Sequence, residues 1–300
     1  MLVVSWYLIP ITLFHLIPLV FSALSWRKLI STASRPDVFT VVWIRWIRES
    51  INSLLAVASI GGDIASVRLA QLQGVPATEA AASMVVDTTI GVVTQVAFVL
   101  SGVGLLLTRS TERSTLVVAG MVSIGTGMLF AATAAFLLFQ HRGLFARSAK
   151  FARRLLPEKW QSAFASRASA IDDAVVAAYR NGWVILHASL LRLIGWAAGA
   201  GEVWLAMQGL GHPIGIGDAI ILESLSSGVR AAAFMVPGAI GALEGGFVLF
   251  GGLLGLSADT ALAISLAKRV RELALGVPGL LFWHWVEMHY LLRRGEPKGR

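Results

Sequence analysis

Long apolar runs alternate along the chain with stretches in which charged residues interrupt the hydrophobic pattern. A helix needs about 20 consecutive, mostly apolar residues to cross the hydrocarbon core of a bilayer. Runs of that kind occupy residues 2–24, 80–107, 115–139, 183–208 and 259–285. We therefore predict that each of these runs forms a membrane-spanning helix.

Two further segments, 38–73 and 218–255, are apolar enough to enter a membrane but are broken near their middle. Gly61-Gly62 interrupts the first segment and Pro237-Gly238 interrupts the second, and helices tend to break at glycine and proline. The part of the first segment that follows its break is too short and too polar to cross back alone. We predict that each segment forms a re-entrant helical hairpin.

The two predicted hairpins can be aligned by a shift of 181 positions, which pairs Asp63 with Glu244 and Gly74 with Gly255. Three predicted spans separate them, and an odd number inverts the second hairpin relative to the first. Secondary transporters build substrate sites near the bilayer midplane from inverted repeats with interrupted helices. Chance matching in a glycine-rich apolar sequence is the alternative interpretation.

Basic residues concentrate in 27–35, in 141–180 and at the C-terminus. The positive-inside rule places these regions in the cytoplasm and the N-terminus outside. Beyond residue 157, apolar residues fall on one helical face, which is typical of an amphipathic helix at a membrane surface. We predict a single all-α transmembrane domain, 1–300, made of repeat 1 (38–107), a cytoplasmic amphipathic segment (143–181), repeat 2 (218–285) and a basic tail (286–300).

Composition agrees with an integral membrane protein, since 56% of the residues are hydrophobic and only 14% are charged, against about 25% charged in soluble domains. The net charge of +8 comes from loops and the C-terminus, so nucleic acid is not an expected partner. The chain has no cysteine, which excludes disulfides and Cys-type metal sites. Oligomeric state is left open.

Known enzyme motifs are missing from the sequence. There is no P-loop, G-x-S-x-G or G-x-G-x-x-G motif, and the six histidines form no H-E-x-x-H pair. We therefore expect no ATP-driven pumping, no metal, no cofactor and no enzymatic activity. One enzymatic alternative stays open: a membrane transferase that uses buried Asp63 or Glu244 as a base.

Fifteen ionisable residues lie inside the segments predicted to enter the membrane, where each charge costs at least a few kcal/mol unless it faces a partner or water. Arg45, Arg48, Glu49 and Asn52 share one face of the first hairpin's first helix. Arg45 with Glu49, and Lys268 with Glu272, are spaced to neutralise each other. The whole set nevertheless has eight cations against seven carboxylates, and spare guanidinium groups suit a planar anion such as phosphate.

Several short motifs point to a known family. They are Arg48-Glu49-Ser50-Ile51-Asn52-Ser53-Leu54-Leu55, Ile60-Gly61-Gly62-Asp63, Arg68, Gly74-Val75, Asp87, Val236-Pro237-Gly238, Gly241, Glu244-Gly245, Gly255 and Arg269. With these motifs the chain resembles the flippase-like family also called the lysylphosphatidylglycerol synthase transmembrane region, and within it the hopanoid-biosynthesis-associated branch. The resemblance covers nearly the whole chain and implies a polytopic inner-membrane protein that moves or binds polar lipids.

The chain departs from the family pattern at three places. Ala56 stands where relatives usually have proline, and Thr88 stands where many have arginine. Relatives often begin with an extra span, whereas this chain starts directly in apolar sequence, so we expect that an N-terminal helix is missing. The presence of Thr88 in place of arginine weakens the inference that Asp87 has the role of the corresponding family residue.

Together these observations predict a flippase-like protein that binds or translocates a polar or anionic lipid, with a substrate site at Arg48, Glu49, Asn52, Asp63, Arg68, Asp87, Arg192, Pro237, Glu244 and Arg269. In this hypothesis Arg48, Arg68, Arg192 and Arg269 contact the headgroup where the hairpins meet. Asp63 and Glu244 orient these arginines or exchange protons. The competing hypothesis is a non-transporting accessory protein that recruits lipid-biosynthesis enzymes through its amphipathic helix.

Overall fold

The computed structural model describes residues 2–31, 33–55, 60–109, 158–233, 236 and 239–295, and the single positions 120, 123–124, 127, 130–131 and 134. Regular structure in these ranges is helical, which confirms the predicted all-α membrane bundle. The helices are α1 (Leu2–Phe14), α2 (Leu16–Leu29), α3 (Val38–Leu54), α4 (Gly61–Leu72), α5 (Ala77–Arg109), α6 (Glu158–Arg180), α7 (Gly182–Gly209), α8 (Ile216–Ala232), α9 (Ala242–Leu253) and α10 (Ala258–Gly295).

Three stretches of the described chain are long and apolar enough to cross a membrane: Tyr7–Leu29, Ala77–Thr108 and Gly182–Gly209. They coincide with three of the predicted spans. The predicted span 115–139 and the surface segment up to residue 157 fall largely outside the described residues, as does the end of the basic tail. Helix α10 covers the predicted span 259–285, although charged residues interrupt its apolar character.

The first span is broken at His15, between α1 and α2. Pro18 is the physical cause, because it has no backbone N–H to donate to the carbonyl of Phe14. The main chain stays continuous through the break, since the His15 N–H donates to the Ile11 carbonyl (3.1 Å) and the Leu19 N–H donates to the His15 carbonyl (3.3 Å). The break therefore places a histidine side chain at mid-span without unfolding the helix.

The two predicted hairpin segments each form a long and a short helix. Helices α3 and α8 have 17 residues, and α4 and α9 have 12. Helix α9 begins and ends 181 positions after α4, and α10 begins 181 positions after α5. Gly74 and Gly255 follow α4 and α9 with φ of 90° and 79°, a left-handed conformation that favours glycine.

Local caps explain where these helices start. Asp37 precedes α3 and accepts from the backbone N–H of Thr40 (2.7 Å), and this hydrogen bond lowers the pKa of the Asp37 carboxyl. At the start of α9, the Gly241 N–H donates to Glu244 Oε2 (2.8 Å). The predicted Pro237-Gly238 break lies outside the described residues, and the re-entrant path of either segment stays a prediction.

Glycines allow α3 and α10 to pack closely. A Cβ atom at Gly279 would collide with the side chain of Ser50, and one at Gly276 would lie 2.6 Å from Leu54 Cδ1. Trp46 lies at the same helix crossing, where its Nε1–H donates to the Leu275 carbonyl (2.9 Å). Small residues serve this purpose in membrane helices, where dispersion contacts rather than water exclusion drive association.

We expect Gly279→Leu to lower the free energy of unfolding by about 1–3 kcal/mol or more, because the added side chain forces α3 and α10 apart. Gly104→Leu is the matched control, since Gly104 is exposed on α5 and has no neighbouring atom within 4 Å of an added Cβ. Thermal unfolding in detergent measures both variants. Equal melting temperatures for the two would contradict the close crossing.

Candidate functional site

A chamber of about 280 Å³ lies between α2, α3 and α7. Pro18, Leu19, Gly195 and Trp196 form its apolar wall. Its polar wall consists of His15, Ser22, Arg45, Arg48, Glu49, Asn52 and Arg192. The break between α1 and α2 supplies His15, and the polar face of α3 supplies four of the other side chains.

Three guanidinium groups of the chamber converge on one carboxylate behind it. Asp87 on α5 is 0% exposed, and its Oδ2 lies 2.7 Å from Arg45 Nη1, 3.5 Å from Arg48 Nη1 and 3.6 Å from Arg192 Nη2. The second carboxylate oxygen of Asp87 has no hydrogen-bond partner. Asp87 therefore anchors three cations but cannot neutralise them alone.

The three arginines differ in the number of their hydrogen-bond and ion-pair partners. Arg48 forms a second ion pair with Asp63 through Nε, and its Nη2 donates to Thr88 Oγ1 (3.2 Å). Arg192 donates from Nη1 to the hydroxyl of Ser22, while its buried Nε has no hydrogen-bond partner. Arg192 is the least satisfied of the three, since 3.6 Å is too long for a good hydrogen bond to Asp87.

Gly91 creates the space that Arg192 occupies. It lies one turn after Asp87 on α5, and a Cβ atom there would come within 2.7 Å of Arg192 Nη2. On the same face, Thr94 accepts a hydrogen bond from Trp196 Nε1 (3.3 Å). The polar face of α5 therefore forms the back of the chamber.

A second charged cluster joins α7, α8, α9 and α10. Arg271 pairs with Glu202 (2.5 Å), Arg269 pairs with Glu244 and Glu272 (3.0 Å each), Arg230 pairs with Glu272, and Lys268 pairs with Glu223. These four cations face four carboxylates. The second cluster is balanced in charge, unlike the group around Asp87.

His15 connects the two clusters. Its Nε2 lies 2.6 Å from Glu49 Oε1 at the chamber, and its Nδ1 contacts Glu202 in the second cluster. Arg271 Nη1 also lies 2.6 Å from Nδ1. Glu49 is the more accessible carboxylate, with 42% of its side chain exposed against 2% for Glu202.

The structure brings together some of the predicted site residues and separates others. Arg48, Glu49, Asn52 and Arg192 line the chamber, and Asp63 and Asp87 bind its arginines from behind. Asn52 also accepts a hydrogen bond from the Gly62 N–H (2.9 Å), which ties the end of α3 to the start of α4.

The other predicted site residues lie elsewhere. Arg68 is half exposed on α4 and forms a bidentate pair with Glu287 at 2.6 and 2.7 Å. Glu244 and Arg269 belong to the second cluster. Pro237 lies outside the described residues. Arg68 and Arg269 therefore do not meet Arg48 and Arg192 in the chamber.

Four residues of the chamber were not among the predicted site residues: His15, Ser22, Arg45 and Trp196. The four-residue spacing suggested that Arg45 pairs with Glu49, but Arg45 binds Asp87 and Glu49 binds His15. Likewise, Lys268 pairs with Glu223 rather than with Glu272. One signal could have identified His15: apart from Tyr7 it is the only ionisable residue between positions 2 and 24, and a helix-breaking proline follows three residues later.

These features define a class of protein: a polytopic helical membrane protein with a charged interior and a polar chamber at the depth of its apolar spans. The chain matches the model of the lysylphosphatidylglycerol synthase transmembrane region over residues 2–279, and it belongs to that family. No curated protein and no solved structure matches it.

The role of Asp87 can be tested by Asp87→Asn, which leaves three buried guanidinium groups without their shared carboxylate. Removing one partner of a buried ion pair typically costs about 3–5 kcal/mol, so we expect a marked fall in melting temperature. Asp173→Asn is the control, because Asp173 is exposed on α6, and we expect its effect to stay within about 0.5 kcal/mol. An Asp87→Asn protein as stable as the control would show that the arginines are solvated independently.

Proposed function

We propose that this protein binds a lipid through its anionic headgroup in the chamber between α2, α3 and α7, and carries that lipid across the inner membrane without ATP. The observation that carries the proposal is the convergence of Arg45, Arg48 and Arg192 on the single carboxylate of Asp87. Guanidinium groups bind phosphate oxygens in a planar, bidentate manner. Asp87 and Asp63 provide two carboxylates for these three arginines, and a phosphate in the chamber would supply further negative charge.

The arginines differ in how many of their N–H groups have a hydrogen-bond acceptor, and this difference supports the assignment. The Nε of Arg192 is buried without a hydrogen-bond partner, and such a group costs about 1–3 kcal/mol until it finds an acceptor. Arg192 also lines the chamber directly. It is therefore our candidate for the primary headgroup contact, with Arg45 and Arg48 behind it.

The size and lining of the chamber support a headgroup rather than a whole lipid. Its volume of about 280 Å³ lies just below the range of about 300–1,000 Å³ usual for drug-sized ligands. The neighbouring wall of Leu19, Gly195 and Trp196 is apolar. In our proposal the headgroup enters the polar part of the chamber while the acyl or polycyclic tail stays against the apolar helices.

The matching lengths of α3 with α8 and α4 with α9 support transport rather than storage. Alternating access in inverted-repeat transporters exchanges the environments of the two repeats. Here the chamber lies beside α3, while the second cluster between α8, α9 and α10 is closed by paired charges. We infer one state of such an exchange, in which repeat 1 is open and repeat 2 is closed.

The finer parts of the proposal rest on the resemblance noted in the sequence. We propose a hopanoid-related or other polar lipid as the substrate, an inner-membrane location with a cytoplasmic C-terminus, and no enzymatic activity. Membrane lipids are then the main partners, and lipid-biosynthesis enzymes are the candidate protein partners. The lipid gradient or an ion gradient would supply the energy.

We expect the full-length protein, reconstituted in vesicles, to accelerate the exchange of fluorescent phosphatidylglycerol between leaflets. Arg192→Gln should reduce that acceleration at least tenfold, because the amide lacks the charge and the fork of a guanidinium. Arg167→Gln is the matched control, since Arg167 is exposed on α6. The measurement is the fraction of probe accessible to a membrane-impermeant quencher over time.

If vesicles that contain the wild-type protein exchange neither phosphatidylglycerol nor a hopanoid probe between leaflets faster than empty vesicles, the accessory hypothesis is favoured. An Arg192→Gln protein as active as Arg167→Gln would place the headgroup site outside the chamber. Thermal stability of each variant, measured in parallel, separates loss of transport from loss of fold.

The inverted topology generates a separate prediction for single cysteines, which the cysteine-free chain makes simple to introduce. Ile60 and Ile240 precede α4 and α9 and are 60% and 72% exposed. We expect Ile60→Cys and Ile240→Cys to react with a membrane-impermeant maleimide from opposite sides of oriented vesicles. Labelling of both from the same side would contradict inverted repeats.

A further inference from the structure

His15 has a contact at each of its ring nitrogens. Nε2 lies 2.6 Å from Glu49 Oε1, and Nδ1 contacts Glu202. An imidazole that donates to two carboxylates must carry both of its protons. This arrangement therefore fits the positively charged form of the ring.

The structure also provides a partner for the neutral form. Arg271 Nη1 lies 2.6 Å from Nδ1 and 2.5 Å from Glu202 Oε2. When Nδ1 has no proton, it can accept from Arg271 while Nε2–H still donates to Glu49. Both protonation states of His15 therefore have hydrogen-bond partners, and loss of the proton requires no large movement of the helices.

We propose that His15 is a proton-binding site whose protonation controls the affinity of the chamber for an anion. The inference rests on the proposed function, because it takes the anion to be the lipid headgroup. With His15 protonated, the charge of Glu49 is compensated and the arginines are available to a phosphate. After deprotonation, Glu49 loses its ion pair with His15, and its negative charge is left to the arginines of the same chamber, where it competes with the phosphate.

The charged groups that face His15 come from three helices. Glu49 lies on α3 and Glu202 on α7, while α10 contributes Arg271. Glu272 lies next to Arg271 at 3.6 Å and is itself paired with Arg230 and Arg269. Glu202 and Glu272 therefore both form ion pairs with arginines. Glu49 forms its ion pair with His15.

Space for proton exchange exists beside the histidine. A second cavity of about 20 Å³ is lined by His15, Glu49, Arg271 and Glu272, and about 10–15 Å³ suffices for one water molecule. His15 also lines the main chamber. A proton can thus reach the ring from the main chamber or from a water molecule in the second cavity.

The test is calorimetric titration of the full-length protein in neutral detergent with short-chain phosphatidylglycerol, between about pH 5.5 and 10.5, a range wide enough for a histidine whose charged form two carboxylates favour. Its phosphodiester stays ionised throughout. We expect the wild-type affinity to fall with rising pH, by up to about tenfold per pH unit across the titration of His15, because binding of the anion and of one proton are linked. Dimethyl phosphate, which has no tails, distinguishes a headgroup site from a lipid site.

Matched variants isolate the histidine. His15→Gln should make the affinity independent of pH, and His187→Gln, at an exposed position on α7, should retain the wild-type dependence. Glu49→Gln should also abolish most of the dependence and should bind as tightly at high pH as the wild type does at low pH. This second variant decides the question if His15→Gln does not fold.

Three outcomes overturn the inference. Wild-type binding that does not vary with pH, or a His15→Gln or Glu49→Gln protein that keeps the wild-type dependence, would contradict the proton site alone and leave the proposed function standing. No binding of either probe at any pH would overturn both. Binding of dimethyl phosphate with the wild-type pH dependence would support the proton site and show that the chamber recognises the headgroup without the tail.

Discussion

The cost of burying charge in an apolar bundle is the constraint on which the rest of this structure depends. An isolated ion loses several kcal/mol when it leaves water, so every buried arginine here needs a fixed carboxylate. Asp87 meets this need for Arg45 and partly for Arg48 and Arg192. To do so, α5 packs against α2, α4 and α7, and Asp87 reaches from there to the arginines that α3 and α7 contribute to the chamber.

Much of the fold could be predicted from hydrophobic pattern and helix-breaking residues. The spans at 80–107 and 183–208 correspond to α5 and α7 within a few residues, because long apolar helices are specified by local sequence and bilayer thickness. The break between α3 and α4 was predicted at Gly61-Gly62, but α3 ends at Leu54 and both glycines lie in the first turn of α4, where Gly62 allows close packing on Arg48 and Asn52. These features depend on residues that are close together in the chain.

The site was harder to predict because ion pairing is a property of three-dimensional neighbours. Spacing along one helix suggested that Arg45 neutralises Glu49, but the close packing of α5 offers Arg45 a fully buried carboxylate instead. Arg68 is one of the residues that carry the family resemblance, yet it lies at the surface with Glu287. It is five residues from Asp63 on α4, about 140° around the helix, and therefore faces away from Arg48. Charge and periodicity identified most of the buried charged residues, but they missed His15 and did not identify the ion-pair partners.

One difference between the halves has a mechanical consequence. Glu244 on α9 is bound by Arg269 on α10, whereas the aligned carboxylate, Asp63 on α4, contacts Thr88 and forms its ion pair with Arg48 on α3. The ion pair of this acidic position therefore joins the short helix to the following long helix in one half and to the preceding helix in the other, where only a hydrogen bond from Thr88 joins it to the following helix. Separating α9 from α10 would therefore break an ion pair, whereas separating α4 from α5 at the corresponding position would break only a hydrogen bond between neutral Thr88 and Asp63.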